Sequence, residues 1–471
     1  MRVLRRFVIG SSLLALIASA LVAGPNGTLA LAGGQPGARG VAHKQNGKVV
    51  AARNVPSGRT LPVGADAIEP TLGINRKGDI FYTAAGGSNA VDVFMSRDKG
   101  ETWKNTSPTI AGTVKAHPLT LDPYVYVSEP TGRIYNIDLT VVCSYLSFSD
   151  DNGASWTHNP LACGRPVNDH QTLFSGPPAI TPPNPIHPEN VYYCWNDFGT
   201  GTSCSKSLDG RVSWVPTGSR PFEGVNVESQ DATNVCGGFN GHGVVDKKGT
   251  IYLPKEYCGQ PWIGISHDEG ATWDRIQVAN NTTEFLGSDT SVAVDKKGNL
   301  YYTYESAKQM LYLVTSTDGG ATWSKPMMVA APKVNEVTLP TLDVGDPGKI
   351  AIAYMGSTNS PFKKCDPECT SADYAKAKWN GYITSTVDAL GKNPTFYSTA
   401  INPISDPLYQ GRCDFSNRCS PILDFIDIEI SPDGTPYGAF VDACLIACKA
   451  SGAVDGSAGI VGRAVGGPPL R

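Results

Sequence analysis

Charge is what this chain has least of. Asp, Glu, Lys and Arg make up 17 % of its 471 residues, against about 25 % in an average soluble domain. That scarcity argues against a coiled coil, long exposed helices or a solvated disordered tail. Lys and Arg number 39 and Asp and Glu 43, a net charge of −4, and no Lys/Arg cluster follows the first few residues. Nucleic acid is therefore not an expected partner. No cysteine precedes Cys143, which excludes a lipid-modified cysteine near the start. The Cys-x-x-Cys pairs that usually announce zinc are missing too.

The first residues read as a leader. Arg2, Arg5 and Arg6 precede an apolar run from Phe7 to Ala23, and Ala30-Leu31-Ala32 offers small residues for cleavage. Residues 1–32 are accordingly expected to be a signal peptide, leaving a secreted, extracellular protein with no membrane partner. The competing reading is a membrane anchor, because the run is near the lower length limit for spanning. Twelve cysteines suit an oxidising compartment, where an even count reads as disulfides. Taken in order they pair as neighbours: Cys143–Cys163, Cys194–Cys204, Cys236–Cys258, Cys365–Cys369, Cys413–Cys419 and Cys444–Cys448.

Turn residues are plentiful, with 51 Gly and 35 Pro, and they recur in a pattern. Asn75-Arg76-Lys77-Gly78 leads into Asp79-Ile80-Phe81-Tyr82, Asp246-Lys247-Lys248-Gly249 into Thr250-Ile251-Tyr252, and Asp295-Lys296-Lys297-Gly298 into Asn299-Leu300-Tyr301. Weaker copies centre on Gly132, Asn190, Gly348 and Gly434. Gly and Asn suit the positive-φ position of a tight hairpin, and the flanking Ile, Val and Tyr favour strands. A period of about 50 residues indicates a solenoid, propeller or array.

A second motif interleaves with the first. Ser96-Arg97-Asp98-Lys99-Gly100-Glu101-Thr102-Trp103 recurs from Ser149 to Trp156, Ser266 to Trp273 and Ser316 to Trp323, with a degenerate copy from Ser207 to Trp214 that has Arg211 in place of Gly. The Asp carboxylate can accept N–H bonds inside such a turn, and the Trp can plug the gap to the next repeat.

Ser-x-Asp-x-Gly-x-Thr-Trp resembles the Asp-box, or bacterial neuraminidase repeat, of sialidase-like β-propellers. The resemblance implies an all-β propeller of four-stranded antiparallel blades, with the boxes on the face away from the ligand. Seven repeats favour seven blades; six is the alternative, being the count in familiar sialidases. Residues 33–47 are expected to be a linker, 48–466 the propeller and 467–471 a tail, with Lys48 to Arg53 closing the ring as the outer strand of the last blade.

Meander topology puts the two recurrent turns on one face and the remaining loops, with the proposed disulfides, on the other. Residues that open innermost strands or end second strands line the channel mouth there: Glu69, Asp169, His170, Asn196, Asp197, His242, Glu256, Tyr257, Asp289, Glu305, Glu336, Asp424 and Asp427. Glu256, Asp289, Asp169 and Tyr257 are the catalytic candidates, and Glu69, His170, His242 and Glu336 the substrate-binding ones. The family's Arg-Ile-Pro motif is absent, Arg59-Thr60-Leu61-Pro62 being its nearest echo; Arg165, Arg412 and Arg418 fall in loops of the site face, and Arg59, Arg165 and Arg412 are the candidates for the family's arginine triad. Converging acids suit glycoside hydrolysis, or an oxygen cage for Ca2+; no cofactor is otherwise required, and no protein metal ligand is singled out. With Trp195 and Trp262 nearby, the ligand expected is a glycan or glycoconjugate. The function read is that of an exo-glycosidase of sialidase type, or else of a non-catalytic propeller binding glycan or protein through its stapled loops.

Overall fold

The computed structural model of the protein describes residues 28–29, 34–85, 91–108, 122–139, 144–160, 168–197, 201–224, 238–280, 290–365, 369–413, 419–420, 422–445 and 456–471. The expected leader lies outside them except for Thr28–Leu29, which pair with Trp103–Asn105.

Among the described residues, seven antiparallel sheets form a closed ring. The first blade runs outward through Thr71–Ile74, Ile80–Ala85, Val91–Ser96 and Trp103–Asn105. The second opens on Pro123–Val127, the third on Asn168–Gly176, the fourth on Val244–Val245, the fifth on Ser291–Val294, the sixth on Glu336–Val344 and the seventh on Asp427–Ile430. Innermost strands of neighbouring blades touch all the way round, the seventh against the first. No helix among the described residues is long and apolar enough to cross a membrane.

The hairpin turns explain the repeat. Asn75 Oδ1 accepts the N–H groups of Lys77 (2.9 Å) and Asp79 (3.0 Å), and Asp246 and Asp295 do the same for their own turns. Each turn closes on a glycine at φ near 85° (Gly78, 85°; Gly249, 82°; Gly298, 85°), which a side chain would strain. In the boxes, Asp98 Oδ1 accepts the Thr102 N–H (2.9 Å), Asp98 Oδ2 the Thr102 hydroxyl (2.6 Å), and Ser96 Oγ the Gly100 N–H (2.8 Å). The boxes of Asp151, Asp268 and Asp318 repeat this set. The degenerate copy puts its positive φ on Gly210 and keeps only part of the network. Trp156 donates across the blade boundary to the Thr106 carbonyl at 2.8 Å.

Two expectations are corrected at the seam. Lys48 to Arg53 does not close the ring; Ser57–Asp66 does, pairing along Ala458–Val465 as the outer strand of the seventh blade. Its ten residues, with Gly58, Thr60, Leu61 and Val63 buried, match the long partner strand, whereas Val49–Val50 is short and outward-facing and pairs with Val41–His43 on the sixth blade. The expected linker is therefore sheet as well: Gln35–Arg39 extends the seventh blade and Val41–His43 the sixth.

Cys194–Cys204, Cys365–Cys369 and Cys413–Cys419 are disulfides as paired above. Cys194 and Cys204 face each other across two strands of the third blade, within the sheet rather than in the expected loop. Cys258 and Cys444 are also disulfide-bonded; the partners expected for them, Cys236 and Cys448, lie outside the described residues, as do Cys143 and Cys163.

Candidate functional site

The mouth is built where innermost strands begin, and there the backbone departs from ordinary strand geometry. Glu69, His170, Leu339 and Leu423 have φ of 51°, 45°, 55° and 68°. Non-glycine residues hold such angles only where their surroundings over-determine them. The consequence is plainest in the third blade. Adjacent strand residues normally point to opposite faces, but pairing slips between Asp169 and Thr172. Asp169, His170 and Asp424 thereby bring ligating atoms that all lie within 4.8 Å of one another.

Around them the seventh blade meets the first three. His170 Nε2 lies 3.2 Å from Asp424 Oδ2. The His170 ring stacks on Phe239 of the fourth blade at 3.8 Å and 7°, and meets the edge of Phe425 at 6.0 Å. The Asp424 N–H donates to Glu69 Oε1 at 3.1 Å. Glu69, Asp122 and His170 are 1 %, 7 % and 2 % exposed, while Asp169 is half-buried. Burial, reinforced by the nearby charges of Asp122 and Asp424, pushes the Glu69 carboxyl well above its usual range. Burial first, and then the Asp169 charge, raises Asp122 to about 7.

Below this ring the channel remains acidic. His242 Nδ1 lies 3.4 Å from Asp427 Oδ1, with Tyr124 edge-on at 5.0 Å. Asp427 Oδ2 accepts the Leu72 N–H at 3.0 Å. A cavity of about 90 Å3 continues past Tyr126 to Asp343 and Glu429. Burial raises Asp343 to about 6, and raises Glu429 well above the carboxylate range with help from Asp343.

The sequence candidates divide accordingly. Asp169, His170, Glu69 and His242 come together at the mouth with Asp424 and Asp427. Glu336 is buried and accepts the Ser360 hydroxyl and, at 3.1 Å, that of Tyr374, which holds a loop of the sixth blade. Glu256 is buried at the end of a second strand, its N–H donating to the Phe239 carbonyl at 3.1 Å. Tyr257 packs between Phe222 (5.2 Å) and Trp262 (6.0 Å) as core. Arg59 sits in the closing outer strand, paired with Glu101 of the first box at 2.8 Å. Arg412 lies over the Tyr374 ring at 5.8 Å. The structure thus separates Arg59 from Arg412. Trp195 and Trp262 are buried in their blades, so neither is a platform at the mouth. Asp289 and Arg165 lie outside the described residues.

Asp122 was missed. It stands ten residues before Gly132, as Asp424 does before Gly434 and as Glu69, nine before Gly78, nearly does. That shared register was the available signal.

Residues 190–355 match the BNR repeat-like domain. No curated protein matches the sequence. Among solved structures, the chain is similar to a protein of unknown function from Dyadobacter fermentans (13 % identity, 88 % of this chain and 98 % of that one, TM-score 0.43). It is similar also to an α-L-arabinofuranosidase from Fusarium graminearum (14 %, 77 % and 97 %, TM-score 0.43) and to a sialidase from Streptococcus pneumoniae (13 %, 81 % and 67 %, TM-score 0.41).

Proposed function

For this chain, a sialidase-like β-propeller with BNR repeats, we propose a secreted protein that binds glycans at the axial mouth and cleaves them by carboxyl chemistry. The observation that carries the reading is the convergence of Glu69, Asp122, Asp169, His170 and Asp424 from four blades, held there by left-handed backbone at Glu69 and His170. Glycoside cleavage asks for two carboxyl groups beside one bond, and a rigid ring supplies fixed positions for them. Asp169, the half-buried acid, is the one placed to meet substrate.

The acidity of the mouth also bears on the substrate. Arg59 is engaged by Glu101 and so offers no counter-charge to an anionic sugar. A neutral glycan fits the local field better than a sialoside or uronate. The near-complete burial of Glu69, Asp122 and His170 favours a second reading, in which the rim recognises glycan without cleaving it.

The test is hydrolysis of a panel of fluorogenic glycosides by the mature protein, run beside binding to a glycan array. Cleavage or binding that Asp169→Asn abolishes and Asp268→Asn leaves intact is the expected result. Binding without cleavage would select the second reading. A folded protein silent in both assays would overturn the proposal.

A further inference from the structure

We infer that the mouth is a binding site for one divalent transition-metal cation, of the Zn2+ or Mn2+ class, held by Asp169, His170 and Asp424 with Glu69 and Asp122 beside them. The inference concerns the same mouth as the proposed function but stands on ligand geometry and on the buried carboxyl groups beside it.

Atoms bound to one ion at about 2.0–2.4 Å cannot lie more than roughly 4–5 Å apart, and the donors of Asp169, His170 and Asp424 all lie within 4.8 Å of one another. The clustering is built rather than incidental. Sequence neighbours Asp169 and His170 reach one point only because His170 adopts φ 45° and the strand pairing slips beside it. Phe239 and Phe425 fix the imidazole plane, and the Glu69 carboxylate anchors the main chain of Asp424.

A second observation points to a ligand. Glu69 Oε2 and Asp122 Oδ2 are both buried, and no donor stands beside them other than the neighbouring carboxyl groups. Neighbouring buried carboxylate oxygens repel unless a proton or a cation lies between them. A set of one imidazole and several carboxylates suits Zn2+ or Mn2+; Ca2+ takes oxygen ligands in greater number.

The mature full-length protein, stripped with a chelator and dialysed, would be titrated with ZnCl2, MnCl2 and CaCl2 by calorimetry and its metal content measured by mass spectrometry. Expected are one Zn2+ or Mn2+ per chain, a thermal midpoint rising with the logarithm of free metal, and at least tenfold weaker binding in His170→Gln and Asp169→Asn. Should His170→Gln fail to fold, Asp169→Asn, at a half-buried residue, carries the comparison. With Co2+ as probe, the visible absorption should show a nitrogen ligand that His170→Gln removes. Absence of stoichiometric binding, or stoichiometric binding that both variants retain, would overturn the inference. Metal bound with no glycan recognised would leave it standing and remove the proposed function; glycan cleavage undiminished in metal-free protein without metal affinity would do the reverse.

Discussion

The main-chain N–H of Asp424 donates to Glu69 Oε1 over 3.1 Å, and the Glu69 N–H donates to the Ile422 carbonyl over 3.2 Å. The last blade and the first are thus stitched together at the mouth by one residue's backbone and side chain. Glu69→Ala removes the acceptor and leaves a buried N–H unpaired, at a cost of about 1–3 kcal/mol. Glu69→Gln keeps a carbonyl oxygen in place and should stay close to the parent protein. Urea denaturation followed by tryptophan fluorescence checks both, and equal midpoints for the alanine variant and the parent would contradict the stitching role.

The Asp boxes are expected to be purely architectural. Asp268 holds its turn through the Thr272 N–H (2.9 Å) and hydroxyl (2.6 Å) and the Ser266 hydroxyl (2.9 Å). Asp268→Ala should lower stability by about 1–2 kcal/mol, since exposed hydrogen bonds are worth individually little, and leave ligand affinity unchanged. A drop in affinity without a drop in stability would assign the box a place in recognition.

Glu269, the variable residue of that box, has its side chain fully buried and crosses to the neighbouring blade. It accepts the N–H groups of Ile180 (2.9 Å) and Thr181 (2.8 Å) and meets Lys206 Nζ at 3.0 Å. Burial works against its ionisation, but these donors outweigh it and hold the carboxyl down at about 2. A depressed acid stabilises the fold above its unfolded value and ceases to do so as pH falls. Glu269→Gln should therefore melt below the parent at pH 7, with the gap closing between about pH 4.5 and 2. A gap independent of pH would place the effect in packing.

Asp138 carries the opposite sign. It is buried in the second blade with one bond, from Asn136 Nδ2 at 2.8 Å, and burial raises it to about 7. Folding retains a proton that the unfolded chain releases, so this stabilisation is complete below about pH 4 and lost as pH rises through 7. Asp138→Asn should gain on the parent steadily from pH 4 to pH 8 in thermal melts. Parallel curves would rule out Asp138 as the titrating group.

Much of the ring was legible because its determinants are local. A glycine turn capped by Asn75, Asp246 or Asp295 and a box closed by Asp98 or Asp268 are each fixed within a handful of residues, so spacing alone reveals the blades. The mouth was only partly legible. Its list of acids contained Glu69, Asp169 and Asp424, yet Glu336 satisfied the same rule of position and turned out to be committed to Ser360 and Tyr374. Which acids turn toward the axis is decided by left-handed φ at Glu69 and His170, an outcome of long-range packing that propensity does not encode. The seam failed for a related reason. Lys48 to Arg53 and Ser57–Asp66 are both plausible strands, and only the length of the partner they must match distinguishes them.

That seam places Leu61 opposite Val461 in the register of the seventh blade. Every other blade can assemble its four principal strands as its own residues leave the ribosome, whereas this one must wait for a partner about 400 positions later to gain its fourth. Until then the strand that begins the ring is an open template, available to any passing β-edge. Closure should consequently be the slow step of maturation, because so distant a contact is late on any topological clock. It is also the point at which a chaperone guarding an unpaired strand would have the most to do.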